Sequence, residues 1–165
     1  MSYQEKRTGA SIFSGIVILA AYCFYAFNPT RLAGLTPGDL KPWAINMLIF
    51  IAVGIGVTIV IQIVFHVLYS ISLAVQTKIE NQQSDDKEIE RAINREMVED
   101  ERDKQIELKS SRIGFIVAGT GFVAGLLALV FNYSPVVMLN ILYLSFSAGS
   151  VLEGIGQLYY YRKGA

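Results

Sequence analysis

Apolar residues fall in four long stretches of the chain, from Ala10 to Phe27, from Trp43 to Val75, from Ile113 to Phe131 and from Val136 to Tyr160. A hydrocarbon core of roughly 30 Å needs about 20 helical residues to cross it. The pattern therefore predicts an all-α protein, a four-helix transmembrane bundle of two helical hairpins. The second stretch exceeds one crossing at about 1.5 Å per residue, so it is expected to tilt or to project from the bilayer. The chain divides into an N-terminus (1–9), a first hairpin (10–76), a charged loop (77–111), a second hairpin (112–161) and a C-terminus (162–165).

Turn chemistry separates the stretches. Asn28-Pro29, Thr36-Pro37-Gly38-Asp39 and Pro42 punctuate the first connection, and Asn132-Tyr133-Ser134-Pro135 the second. Ser134 followed by Pro135 reads as an N-cap and first helical residue. Lys6 and Arg7 ahead of the run Ile12 to Ala21 resemble the start of a cleaved signal. The run nevertheless continues through Tyr22, Phe24, Tyr25 and Phe27 with no small-x-small site, and Tyr22 precedes Cys23 where a lipoprotein site needs a small residue. The first helix is expected to be retained.

Composition agrees with lipid. Hydrophobic residues make up 53% and charged residues 17%, against about 25% charged in ordinary soluble domains. Charge is segregated, with 11 of the 14 acidic residues lying between Glu80 and Glu107. With the N-terminus inside, 12 basic residues are cytoplasmic and only 2, Arg31 and Lys41, are outside. The positive-inside rule then places both ends in the cytoplasm of a multi-pass membrane protein. Trp43, Tyr25 and Tyr133 fall at the outer interface, and Tyr69 with Tyr159 to Tyr161 at the inner one, as an aromatic belt requires.

The loop from Ser84 to Ser111 has neither Gly nor Pro, opens on Asp85 and Asp86, and spaces opposite charges as in Glu88 with Arg91 and Asp100 with Lys104. That composition predicts a cytoplasmic helix. Its apolar stripe of Ile89, Ile93 and Met97 is interrupted by Asp100 and Asp103. The loop reads either as a solvated connector or as a docking helix for a cytoplasmic partner or a second copy of the chain.

A shift of 91 positions superimposes Met47-Leu48 on Met138-Leu139, Gln62 on Glu153, His66 on Gln157 and Tyr69 on Tyr160. Arg7-x-Gly9 and Phe27-Asn28-Pro29 echo Arg112-x-Gly114 and Phe131-Asn132-x-x-Pro135. The halves read as a duplicated hairpin, two parallel repeats about an axis along the membrane normal. Small residues at Gly121, Gly125, Ser145 and Gly149 fit the close-packing pattern of membrane helices, within one chain or across a homodimer seam.

Candidate chemistry rests on polar groups inside the spans, because each is costly unless paired or wet. Glu153 is the carboxylate within a span, and Gln62 lies at a comparable depth. Gln157 and His66 follow one turn later, so Gln62 with His66 and Glu153 with Gln157 form two polar faces that would make a cluster if they met. Three readings stay open: a proton-linked transport site exchanging through Glu153 and His66, a packing cluster that fixes register, and side chains snorkelling to the inner headgroups. A single cysteine and a single histidine exclude a multi-histidine or multi-cysteine metal centre within one chain, and no phosphate loop or nucleophile elbow is present. No cofactor, no catalytic residue and, given the acidic loop, no nucleic-acid partner is expected.

The stretch Asp100-Glu101-Arg102-Asp103-Lys104-Gln105-Ile106-Glu107-Leu108-Lys109 resembles the D-E-R-D-x-x-I-x-x-K segment of small prokaryotic multi-pass membrane proteins. The resemblance implies a prokaryotic inner membrane and brings no activity with it. The sequence thus favours a non-enzymatic, self-associating membrane protein whose partners are the lipid bilayer, a homodimer mate and a cytoplasmic protein docked on 84–111. A small proton-coupled transporter or channel using Glu153 and His66 is the alternative.

Overall fold

The computed structural model describes residues 3–28, 39–80, 91 and 100–163. It is all-helical among these residues, with α1 over Tyr3–Ala26, α2 over Leu40–Glu80, α3 over Glu101–Val130 and α4 over Pro135–Lys163. All four are long and apolar enough to cross a membrane. The expected charged helix over 84–111 lies mostly outside the described residues. From Asp100 onward it is not a separate element but the start of α3.

Local chemistry sets the boundaries. Asp100 caps α3 through a reciprocal pair: Asp103 N donates to Asp100 Oδ1 at 2.7 Å and Asp100 N donates to Asp103 Oδ2 at 3.1 Å. Two orphan amides of the first turn are satisfied in this way. Between α3 and α4, Asn132 takes φ 61°, a left-handed conformation that Asn tolerates, while Tyr133 N donates to Ala128 O at 3.0 Å. Pro135 opens α4, and Val137 N donates to Ser134 O at 2.9 Å, as the Ser-Pro signal predicts. α1 begins at Tyr3, well ahead of its apolar stretch, because a helix tolerates the polar residues Gln4 to Thr8 wherever they find partners. α2 is one unbroken helix of 41 residues, about 60 Å at the helical rise, and residues 70–80 run on past the level where Tyr69 meets Tyr3.

Helix packing follows the small residues. α3 and α4 run antiparallel in the most extensive contact of the molecule. A methyl group at Gly121 would overlap Ser145, and one at Gly149 would come within 2.9 Å of Gly114 O. Backbones approach this closely only where side chains are nearly absent. Gly125 faces Met138, so all four candidate packing residues lie in this intramolecular seam. α1 packs antiparallel on both α4 and α2, and α2 touches α4 only lightly.

The order in space is therefore α2–α1–α4–α3. Parallel hairpins are present, and their registers agree to within half a helical turn: Ile18, matched to 122–123, meets Gly54 in the first, and Gly121 meets Ser145, the position matched to Gly54, in the second. The expected axis along the membrane normal does not describe their relation, however. A two-fold would make α2–α3 contact as extensive as α1–α4, whereas α2 and α3 barely touch. The hairpins stand side by side, because α1 wedges its polar face between α2 and α4.

Candidate functional site

Polar residues of α1 recur at Gln4, Arg7, Thr8 and Ser11, spacings of three and four that put them on one helical face. That face meets α4 and α2. Thr8 Oγ1 donates to Gln157 Oε1 at 3.1 Å, and Arg7 Nη2 donates to Gln62 Oε1 at 3.4 Å. Gln4 and Thr8 are buried, and Arg7, Gln62, Glu153 and Gln157 are half-buried.

Together these side chains line a cavity of about 260 Å³ near the end of the molecule where α1 starts and α4 stops. Its walls carry Arg7, Gln62, Glu153 and Gln157, and Glu107 of α3 joins them as an exposed group. Two carboxylates and one guanidinium thus share one cavity. No ion pair joins Arg7 to Glu107 or Glu153 among the described residues. The amide oxygens of Gln62 and Gln157 are engaged by Arg7 and Thr8, which leaves their amide nitrogens as the free valences of those two groups.

Three of the four residues expected to cluster, Gln62, Glu153 and Gln157, meet in this cavity. His66 does not line it. His66 is exposed beside Tyr3, sharing a hydrogen bond of 3.2 Å between Tyr3 Oη and its Nδ1. It lines a neighbouring cleft with Tyr3, Arg7 and Gln62. The two expected polar faces are bridged by α1 rather than brought into direct contact. Sequence reasoning missed Gln4, Arg7, Thr8 and Ser11 because they precede the apolar run and were assigned to a terminus, although their helical spacing was there to read. Glu107 was missed because it sits in a charged segment where no single carboxylate stands out.

A second cleft of about 430 Å³ begins where the first ends. Gln62 and Ser150 line both, and the second continues along Thr58, Ser147 and Gly54 to Phe50 and Tyr143. It stops at an aromatic cluster. The Tyr22 and Tyr143 rings lie 3.9 Å apart, Phe50 packs edge-on to Tyr22 at 5.3 Å, and Trp43 and Met47 close the same core. Tyr22 is 1% exposed and donates from Oη to Asn140 Oδ1 at 2.8 Å, while Asn140 Nδ2 donates to Val136 O. The polar cavity and this open cleft thus adjoin at Gln62 and Ser150, and the aromatic cluster stands at the far end of the cleft.

At the opposite end, Tyr3 packs on Phe65 and Tyr69, and Lys6 Nζ lies 5.0 Å from the Tyr69 ring. This aromatic-basic edge suits a membrane interface, where amphipathic rings sit at headgroup level. No group of His, Cys, Asp and Glu able to hold a metal ion occurs among the described residues. No protein-family model, curated protein or solved structure matches the chain.

Proposed function

We propose that this chain is a non-enzymatic, multi-pass protein of a prokaryotic cell membrane, with both termini cytoplasmic, that carries a small polar solute or a proton through its helical core. One observation carries the reading: a charged cavity among apolar helices, continuing through Gln62 and Ser150 into a cleft that ends at the Tyr22–Tyr143 cluster. Holding Glu153 in a low-dielectric span is expensive, and Arg7 is half-buried at the mouth of the same cavity. A chain that needed only helix packing would be served by the Gly–Ser seam of α3 and α4 alone.

In this reading the polar cavity opens toward the cytoplasm and the aromatic cluster seals the outer end, so solute passes when Tyr22 and Tyr143 separate. The experiment is flux into proteoliposomes, with proton movement followed by a trapped dye and solute by counterflow. Wild type should move one or both, and Glu153→Gln should reduce the rate by an order of magnitude or more. Unchanged flux in Glu153→Gln would remove Glu153 from the path, and no flux in wild type would remove the transport reading.

Self-association is a second reading, favoured by α2. Outside the face that packs on α1 its apolar side chains are exposed, among them Ile49, Val53, Ile59, Ile63 and Val67, an arrangement met by lipid or by another copy. A docking role for 84–111 falls largely outside the described residues. If Glu153→Gln alters oligomeric state while leaving every flux unchanged, this second reading takes over.

A further inference from the structure

The charges that line the polar cavity are unlike and separate. Arg7 and Glu153 are both half-buried and both line the same space, Glu153 with its Oε2 beside Gly114 of α3, and neither neutralises the other in an ion pair. One donor of the Arg7 fork reaches Gln62 at a long 3.4 Å, leaving the remainder of the fork for a planar acid group. The amide nitrogens of Gln62 and Gln157 add donors. Glu153 supplies the acceptor, and Glu107 adds a second carboxylate on the exposed side.

A ligand entering such a site must match both signs. A simple cation pairs with Glu153 and leaves Arg7 desolvated without an anion, and a simple anion leaves Glu153 in the same condition. Either leaves a costly uncompensated charge. A zwitterion neutralises both half-buried charges, while Glu107, exposed, keeps its water. The space beside the two charges, about 260 Å³, has room for a small solute of this kind.

We propose that the cavity between α1 and α4 binds a small soluble zwitterion of the amino-acid or betaine class, its carboxylate on Arg7 and its ammonium on Glu153. This rests on the carrier reading above and names its solute. Glu107 sits where an arriving ammonium group is drawn in, which makes it an affinity and on-rate residue rather than part of the inner pair.

The test is equilibrium binding to the purified full chain in maltoside detergent, by calorimetry and by thermal shift. The probes are the protein amino acids and glycine betaine, with choline and ethanolamine as matched cations, acetate and propionate as matched anions, and phosphatidylethanolamine as a lipid carrying the same paired charges. At least one soluble zwitterion should bind, and Arg7→Gln and Glu153→Gln should each weaken it roughly tenfold or more, as expected for losing a charged hydrogen-bond partner. Glu107→Gln should weaken it only a few-fold. If Arg7→Gln fails to fold, Arg7→Lys serves instead and should retain binding with reduced affinity, because the charge survives and the planar fork does not.

Binding of choline that depends on Glu153 and not on Arg7 would overturn the zwitterion while leaving the carrier reading intact. Stabilisation by phosphatidylethanolamine alone would move the same chemistry to a lipid headgroup and overturn the soluble ligand. Failure of every soluble zwitterion to bind would overturn the proposed ligand, and no flux in vesicles would overturn the carrier reading as well.

Discussion

Gly121 and Gly119 lie two positions apart on α3, and a methyl group means opposite things at each. At Gly121 it would overlap Ser145, whereas at Gly119 it would meet nothing within 4 Å. Gly121→Ala should therefore lower stability by about 1–3 kcal/mol, as overpacking does. Gly119→Ala should be neutral or add up to about 1 kcal/mol through helix propensity. Thermal unfolding in detergent separates the two. Tyr22→Phe keeps the ring against Tyr143 and removes the donor to Asn140 Oδ1. The unpaired acceptor should cost about 1–2 kcal/mol by the same measurement. Residue spacing in the sequence already marked Gly121, Gly125, Ser145 and Gly149 as packing positions. Their partners were not legible, because spacing reports which face of a helix is small and not which helix comes to meet it.

α1 shows what hydropathy segmentation loses. A window tuned to apolar runs starts this helix near Ala10, yet the helix begins at Tyr3 and its first turns carry half of the polar cavity. The stripe Gln4, Arg7, Thr8, Ser11 has helical periodicity, but its partners lie on α2 and α4, far away in sequence, so nothing local distinguishes it from a solvated terminus. α3 makes the complementary point. Its Asp100–Asp103 capping box is a strictly local device and was there to be read. Asp100→Ala should cost about 1 kcal/mol of local helix stability, seen as faster amide hydrogen exchange at residues 101–104 with little change beyond Ser110. α2 is held by α1 and only lightly by α4, whereas α3 and α4 share a long seam. Emission from Trp43, the single tryptophan, buried where α2 joins the core it shares with α1 and α4, should therefore shift at lower denaturing-detergent fractions than those at which the α3–α4 seam opens. Coincident transitions would mean that the four helices separate as one unit.

At the scale of the whole molecule, the α2–α1–α4–α3 order puts the start of α1, the end of α4 and the charged first turns of α3 at one end, and the α3–α4 turn at the other. The basic residues follow this division, which makes orientation testable. In a variant with Cys23 replaced by Ser, a cysteine substituted for Tyr133 should react with a membrane-impermeant thiol reagent in intact cells, and one substituted for Lys104 should not. The reverse labelling would invert the proposed topology and the cytoplasmic opening of the cavity. The same order explains why the parallel hairpins nearly share a register without sharing a two-fold. α1 is used on two sides, by α2 and by α4, while its counterpart α3 is used on one.

The sequence alone was enough for four apolar helices, the turn between α3 and α4 and the distribution of basic residues, because each is written in neighbouring positions: a run long enough to span, a proline at a helix start, a cluster of charges. The turn signals at 29–38 lie outside the described residues, and Pro42 falls within α2. The sequence also supplied Gln62, Glu153 and Gln157 as polar groups that apolar helices do not carry without reason. Only the tertiary structure decided that α1 stands between their two helices, that Arg7 and Glu107 join them while His66 stays outside, and that the small residues face one another within one chain. Those facts depend on which helix packs against which. Lipid-facing and partner-facing apolar surfaces are chemically alike, so hydrophobicity that fixes a helix in a membrane leaves its neighbours undetermined.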